Sequence, residues 1–226
     1  MELTDVRFRY SARAADVLRV PHFRVERGER LFMFGPSGSG KTTLLSLIGG
    51  LFHPNAGKIS VLGQDITAMN DSARDGFRAA HVGFIFQVFN LVPYLSILQN
   101  VILPCKFGRG VSTGFSSAEA EASYLLGQLG ISDVANKSVT NLSIGQQQRV
   151  AAARALMGSP GLIVADEPTS ALDADARNDF LRVLFEQAKR EGSAVIFVSH
   201  DRSLAAQFDR SVALADINQV VVRGGL

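Results

Sequence analysis

Short apolar runs, each ending in a polar turn, set the rhythm of this chain: residues 31–34, 82–86, 162–165 and 194–198. Runs of this length with no polar alternation predict strands buried on both faces, which belong in a mostly parallel sheet with helices on either side. Helical segments alternate with them. Residues 43–48 are leucine-rich, 145–157 are rich in alanine and glutamine, and 173–190 carry a long amphipathic pattern. Near the N-terminus the period changes. Leu3, Val6, Phe8 and Tyr10 alternate with Thr, Asp and Arg, predicting a half-exposed strand whose phase slips near Asp5. Residues 18–20, 23–25 and 58–62 predict further strand pieces, and together these make a small antiparallel sheet beside the parallel one.

From Asn90 to Thr140 the strand patterns fade. Ser116 and Glu119 read as a capping box opening a helix that runs to Leu129. Residues 108–110 and 112–114, rich in glycine and hydroxyls, predict a mobile surface loop. The organisation expected is thus a core from about 1–89 and 141–226, with an inserted helical subdomain at about 90–140. The tail, residues 211–222, reads as a hairpin turning at Asp216, Ile217 and Asn218.

Composition narrows the classes. The chain has 226 residues, 46% of them hydrophobic, ample for a sizeable core. No apolar run approaches the ~18–20 residues that cross a bilayer. Residues 1–5 do not resemble a signal peptide, and a single cysteine, Cys105, admits no internal disulfide, so a cytosolic setting is expected. A net charge of +2 with no lysine or arginine block argues against a nucleic-acid partner. His22, His53 and His81 show no metal-ligand spacing.

The chemistry is concentrated at the ends of the apolar runs. After the first comes Gly35-Pro36-Ser37-Gly38-Ser39-Gly40-Lys41-Thr42-Thr43, the phosphate-loop pattern between a strand and a helix. There backbone N–H groups and a helix N-terminus favour a polyphosphate, the lysine reaches the terminal phosphates, and the Thr42 hydroxyl suits magnesium. Asp166 and Glu167 follow the run 162–165. Asp166 is held to position Mg²⁺, and Glu167, pointing elsewhere, suits a general base for attacking water. Gln87 and His200 end two other runs, one fit to touch metal and water, the other to contact a γ-phosphate. Ligands in open α/β sheets bind beyond such strand ends. A second Ser/Gly turn opens a helix at Leu142-Ser143-Ile144-Gly145-Gln146 and offers a second anion site, for which one domain has no obvious use.

This ordered set resembles the ATP-binding subunit of ABC transporters over essentially the whole chain. The phosphate loop matches Walker A, residues 162–167 Walker B with its catalytic glutamate, Gln87 the Q-loop, residues 170–173 through Asp173 the D-loop, His200 the H-switch, and residues 142–146 the signature. The resemblance implies a P-loop NTPase α/β fold with an antiparallel β part and a helical insert. It also implies ATP and Mg²⁺ as cofactors and a head-to-tail dimer with a second copy or a homologous ATPase subunit. In that dimer Ser143, Gly145 and Gln146 act on the partner's ATP. Tyr10 matches the adenine-stacking aromatic, a position Phe8 would also fill and for which a core role competes. An integral membrane permease is the further implied partner, with the ATPase peripheral on the cytoplasmic face. Residues 83–93 and 98–101 look most like the branch of lipoprotein-release, macrolide-export and cell-division ATPases. By analogy, residues after Gln87 form the groove for the permease's coupling helix. Export or lipoprotein extraction is the expected process. The alternatives are mechanotransmission without solute transport and a soluble ATPase acting on DNA or cofactor assembly; of these the DNA-repair type would need a long coiled coil between Gln87 and the signature, for which there is no room. Ile144 stands where the family has glycine, a strained choice if that position needs positive φ. Asn218 stands where a turn glycine is common.

Overall fold

A computed structural model describes residues 1–135 and 137–220. The strands are β1 (Glu2–Phe8), β2 (Leu18–Arg24), β3 (Arg30–Phe34), β4 (Ala56–Val61), β5 (Gln64–Asp65), β6 (Val82–Ile85), β7 (Leu162–Asp166), β8 (Ala194–Val198) and β9 (Arg210–Ala213). The helices are α1 (Lys41–Ile48), α2 (Asp71–His81), α3 (Ile97–Lys106), α4 (Ala118–Gln128), α5 (Ile144–Leu156), α6 (Ala174–Glu191) and α7 (Leu214–Ile217).

The two periodicities become two sheets. The uniformly apolar runs form a parallel sheet in the order β6-β7-β8-β3-β9, and the alternating segments form an antiparallel sheet, β2-β1-β4-β5. Because side chains alternate across a strand, β3, β6, β7 and β8 each feed two cores. Leu31, Met33, Val164, Ile196 and Val198 pack with α1 and the antiparallel sheet. Phe32, Ile85, Ile163, Ala165 and Phe197 pack with α3, α4, α5 and α6. Pro21 is tolerated in β2 because β2 is an edge strand. The phase slip near Asp5 is a bulge: the register against β4 shifts between Thr4 and Arg7, and Asp5 has φ 52°. Gly57 lies opposite it, where a Cβ would sit 2.4 Å from the Asp5 carbonyl oxygen.

Three expectations are corrected. The α4 cap is Ser117, whose hydroxyl accepts from the Ala120 N–H at 3.2 Å, rather than Ser116; the capping boxes are at Ser96/Gln99 and Ser143/Gln146. The tail forms no hairpin at 216–218. β9 runs parallel to β3 and leads into α7, after which Asn218 is extended at φ −99° and binds Val17 and Arg19 of β2's approach. The last two residues of that expected hairpin lie outside the described residues.

The segment read as a mobile loop is an anchor. Arg109 is 6% exposed, and its guanidinium donates to the carbonyls of Ala79 (2.8 Å), Val82 (2.5 Å), Ala155 (3.2 Å) and Met157 (3.1 Å). Burial without a carboxylate partner pulls its pKa down to about 10. Close by, buried Glu121 of α4 accepts from the N–H groups of Ser112 (2.9 Å) and Gly158 (2.8 Å). Gly108 and Gly114 turn the chain at φ +97°, and a Cβ on Gly108 or Gly110 would meet nothing within 4 Å. The anchoring comes from Arg109 and Ser112, and composition does not distinguish it from mobility.

Candidate active site

The loop between β3 and α1 closes around its own backbone. Gly38 and Gly40 hold φ +74° and +100°, which a side chain would resist. A Cβ on Gly40 would also press against Leu18 and Val17. Lys41 Nζ donates to the carbonyls of Gly35 (2.8 Å) and Pro36 (2.9 Å), so the ammonium stands over the loop. Ser39 Oγ is buried with no hydrogen-bond partner. The first turn of α1 presents its N–H groups to the same space, and no acidic residue competes there.

The end of β7 meets this loop. Thr42 Oγ1 donates to Asp166 Oδ2 at 2.6 Å, joining residues 124 apart in sequence. Burial raises the Asp166 pKa, the neighbouring Glu167 charge raises it further, and the Thr42 bond and Lys41 offset part of this. Glu167 adopts left-handed φ 49°, which swings its side chain away from the direction of Asp166. Its Oε2 lies 2.8 Å from His200 Nδ1 and 3.4 Å from Ser199 Oγ, both at the end of β8. The Glu167 backbone N–H still pairs with Val198 O (2.9 Å), so the strained residue is held by the sheet.

A cleft of about 590 Å³ gathers Tyr10, Gly35, Ser37, Gly38, Gly40, Lys41, Thr42, Thr43, Gln87, Asp166, Glu167 and His200. Tyr10 is exposed, set edge-on to Phe8 and Phe52, and its hydroxyl pairs with Thr43 Oγ1 at 2.8 Å. Phe8 itself is buried and stacked on Phe52. Gln87 lies two residues past β6, exposed at the cleft. Val17 and Ser170 line the cleft too. Ser170 opens the stretch matched to the D-loop, whereas Val17 arrives only through the path of β2.

Pro36, Ser39, Ser143, Gly145, Gln146 and Asp173 are not among the cleft-lining residues. Ser143 caps α5 on its exposed face and exchanges two hydrogen bonds with Gln146 (3.0 and 3.3 Å). A Cβ on Gly145 would come 3.2 Å from Leu172. Asp173 caps α6 through Ala176 N–H at 2.8 Å. Ile144 is the first residue of α5, has no positive φ and is 59% exposed. The strain raised for it does not arise, because the position needs helical backbone.

A phosphate loop feeding a helix from the middle of a parallel sheet, with an aspartate from a second strand on its threonine, defines a P-loop nucleoside triphosphatase. The family described as "ABC transporter" matches residues 18–170. The chain belongs to the ABC transporter family and is an ATP-binding cassette. It is 43% identical over 192 residues to the uncharacterized ABC transporter ATP-binding protein YbbA of Escherichia coli K12, covering 85% of this chain and 83% of that one. It is 41% identical over 218 residues to the lipoprotein-releasing system ATP-binding protein LolD of Anaeromyxobacter dehalogenans, covering 96% and 90%. Among solved structures it resembles the dimeric post-hydrolysis cassette MJ0796 bound to ADP and Pi, with TM-score 0.86, 33% identity and 99% of each chain covered.

Proposed function

We propose that this chain is the ATP-hydrolysing subunit of an export or lipoprotein-extraction system, working as a head-to-tail dimer under a membrane permease. The observation that carries the reading is the pairing of Thr42 with Asp166 at 2.6 Å beside Glu167 and His200 at 2.8 Å. The Thr42 hydroxyl, the Asp166 carboxylate and the Gln87 amide carbonyl are hard oxygen donors, a set that suits Mg²⁺. Bound there, Mg²⁺ neutralises charge on the terminal phosphates of ATP. Lys41 leaves the loop carbonyls for the phosphates, Gly35 to Thr43 cradle them, and Tyr10 stands where an adenine ring stacks. Glu167 takes the proton of the attacking water as its oxygen bonds to the γ-phosphorus and the bond to ADP breaks. His200 orients Glu167 and contacts the γ-phosphate.

Ser143, Gly145 and Gln146 act on the partner's nucleotide. Their absence from the cleft of their own chain and the dimeric state of the solved relative support this. Residues of about 90–140 form the helical subdomain. The permease docks in an apolar groove of about 670 Å³ lined by Leu51, Phe84, Phe86, Leu103 and Phe107. Attachment at the cytoplasmic face is through that partner; among the described residues no helix is long and apolar enough to cross a membrane.

The test is Glu167→Gln in the full chain. It abolishes most turnover, a loss of about 10²–10⁴-fold for a general base, while ATP binding persists and a dimer accumulates with Mg-ATP on size exclusion. Near-normal hydrolysis would remove Glu167 from this role.

A further inference from the structure

The cleft needs Gln87 in a defined place, yet the chain around it has little to hold it. Residues 87–91 make no backbone–backbone hydrogen bond among the described residues. Upstream, Phe86 is fixed by stacking on Phe84, with centroids 5.0 Å apart and planes at 7°. Downstream, the Val92 N–H and carbonyl are both bound by the buried Asn100 side chain, at 2.8 and 3.1 Å. Between those points lies Asn90 at φ 51°, a left-handed turn that asparagine adopts readily. Arg154 grips that turn. Its Nη1 donates to the Asn90 carbonyl at 2.7 Å and its Nη2 to the Phe89 carbonyl at 2.6 Å. These are the only hydrogen bonds to residues 87–91 among the described residues.

Arg154 is a member of none of the ion pairs among the described residues, and burial lowers its pKa. A desolvated guanidinium without a carboxylate is costly, so its use of two successive carbonyls is its compensation. The side chain belongs to α5, whose N-cap is Ser143, about three helical turns away. One rigid helix therefore holds the signature serine at one end and the Gln87 loop at the other.

We propose that Arg154 is a positioning residue for hydrolysis: it sets the place of Gln87 in its own cleft by tying residues 89 and 90 to the helix that reaches across the dimer. This rests on the assignment of Gln87 to the ATP site. A lysine cannot replace it fully, because a point charge does not hold two carbonyls in one plane.

The test is a double-mutant cycle in the full chain, with steady-state Mg-ATP hydrolysis measured for wild type, Arg154→Ala, Gln87→Ala and the pair. Arg154→Ala lowers kcat about tenfold with KM changed less than about twofold, and in the Gln87→Ala background it lowers kcat less than about twofold further. Arg154→Lys recovers part of kcat. If Arg154→Ala does not fold, the same cycle with Arg154→Lys decides. Additive losses, with Gln87→Ala itself impaired, overturn the role of Arg154 and leave Gln87 in the site. An unaffected kcat in Gln87→Ala overturns both.

Discussion

At the scale of single residues, Asp166 carries the pH dependence. Its folded pKa is raised above the usual 3.8, so the folded chain keeps this proton to a higher pH than the unfolded chain. Two consequences follow from linkage. Asp166's own contribution to the stability of the nucleotide-free protein falls as pH rises through that window, because its native carboxyl holds the proton longer. Glu2, Asp65, Asp201 and Asp209, whose pKa values are lowered, contribute with the opposite sign. On the proposed assignment of Asp166 to Mg²⁺, the metal would compete with that proton, and its affinity would rise with pH across the same window. Calorimetry in buffers of different ionisation enthalpy reads the released proton, and Asp166→Asn abolishes it; equal heats in all buffers for the wild type would contradict the assignment. Ile144 is the second residue-scale case. Since it starts a helix with ordinary backbone, Ile144→Gly leaves the isolated chain's stability within about 1 kcal/mol. It changes ATP-driven dimerisation, because the exposed side chain flanks Ser143 on the face assigned to the partner. Equal dimerisation of the two proteins would make the substitution neutral.

Among the elements, caps and anchors separate what pattern reveals from what packing adds. Ser117→Ala costs about 1 kcal/mol by removing the α4 cap, whereas Ser116→Ala is close to neutral, as denaturant unfolding would show. Most strands, the helices α1, α4, α5 and α6 and the phase slip at Asp5 were legible because periodicity records burial directly, whereas α2, α3 and α7 were not. The exact cap was not, since adjacent serines offer the same chemistry and only the turn of the chain selects one. Arg109 was read wrongly for a sharper reason. Gly-Arg-Gly has the composition of a loop, but the carbonyls it satisfies come from α2, β6 and the end of α5, distant in sequence. Arg109→Ala strands those carbonyls and lowers stability by about 2–4 kcal/mol in urea unfolding. A loss below about 0.5 kcal/mol would show that the anchor is dispensable.

For the molecule as a whole, the cleft is assembled where four parallel strands end. β3 brings the loop, β7 brings Asp166 and Glu167, β8 brings His200 and β6 brings Gln87. Only Tyr10 and Val17 come from the antiparallel sheet side, and Tyr10 is tied back by its bond to Thr43. The two sheets therefore both line the cleft, while the signature stands apart on α5. On the proposed assignment of the signature to a second copy's nucleotide, the dimer trapped by Glu167→Gln is the whole-molecule readout of that division.

The sequence alone determined the two sheets, the phosphate loop, the paired carboxylates and the family, because strand burial and phosphate chemistry each demand particular residues at fixed local spacing. The tertiary structure decided what depends on contacts between distant segments. It brought Thr42 onto Asp166 and Glu167 onto His200, turned a glycine-rich segment into the Arg109 anchor, and carried the tail into a parallel strand. It also set Arg154 against the loop of Gln87. Hydrogen bonds to backbone carbonyls leave no mark in the identity of the residues that accept them, so no spacing rule could have announced those last contacts.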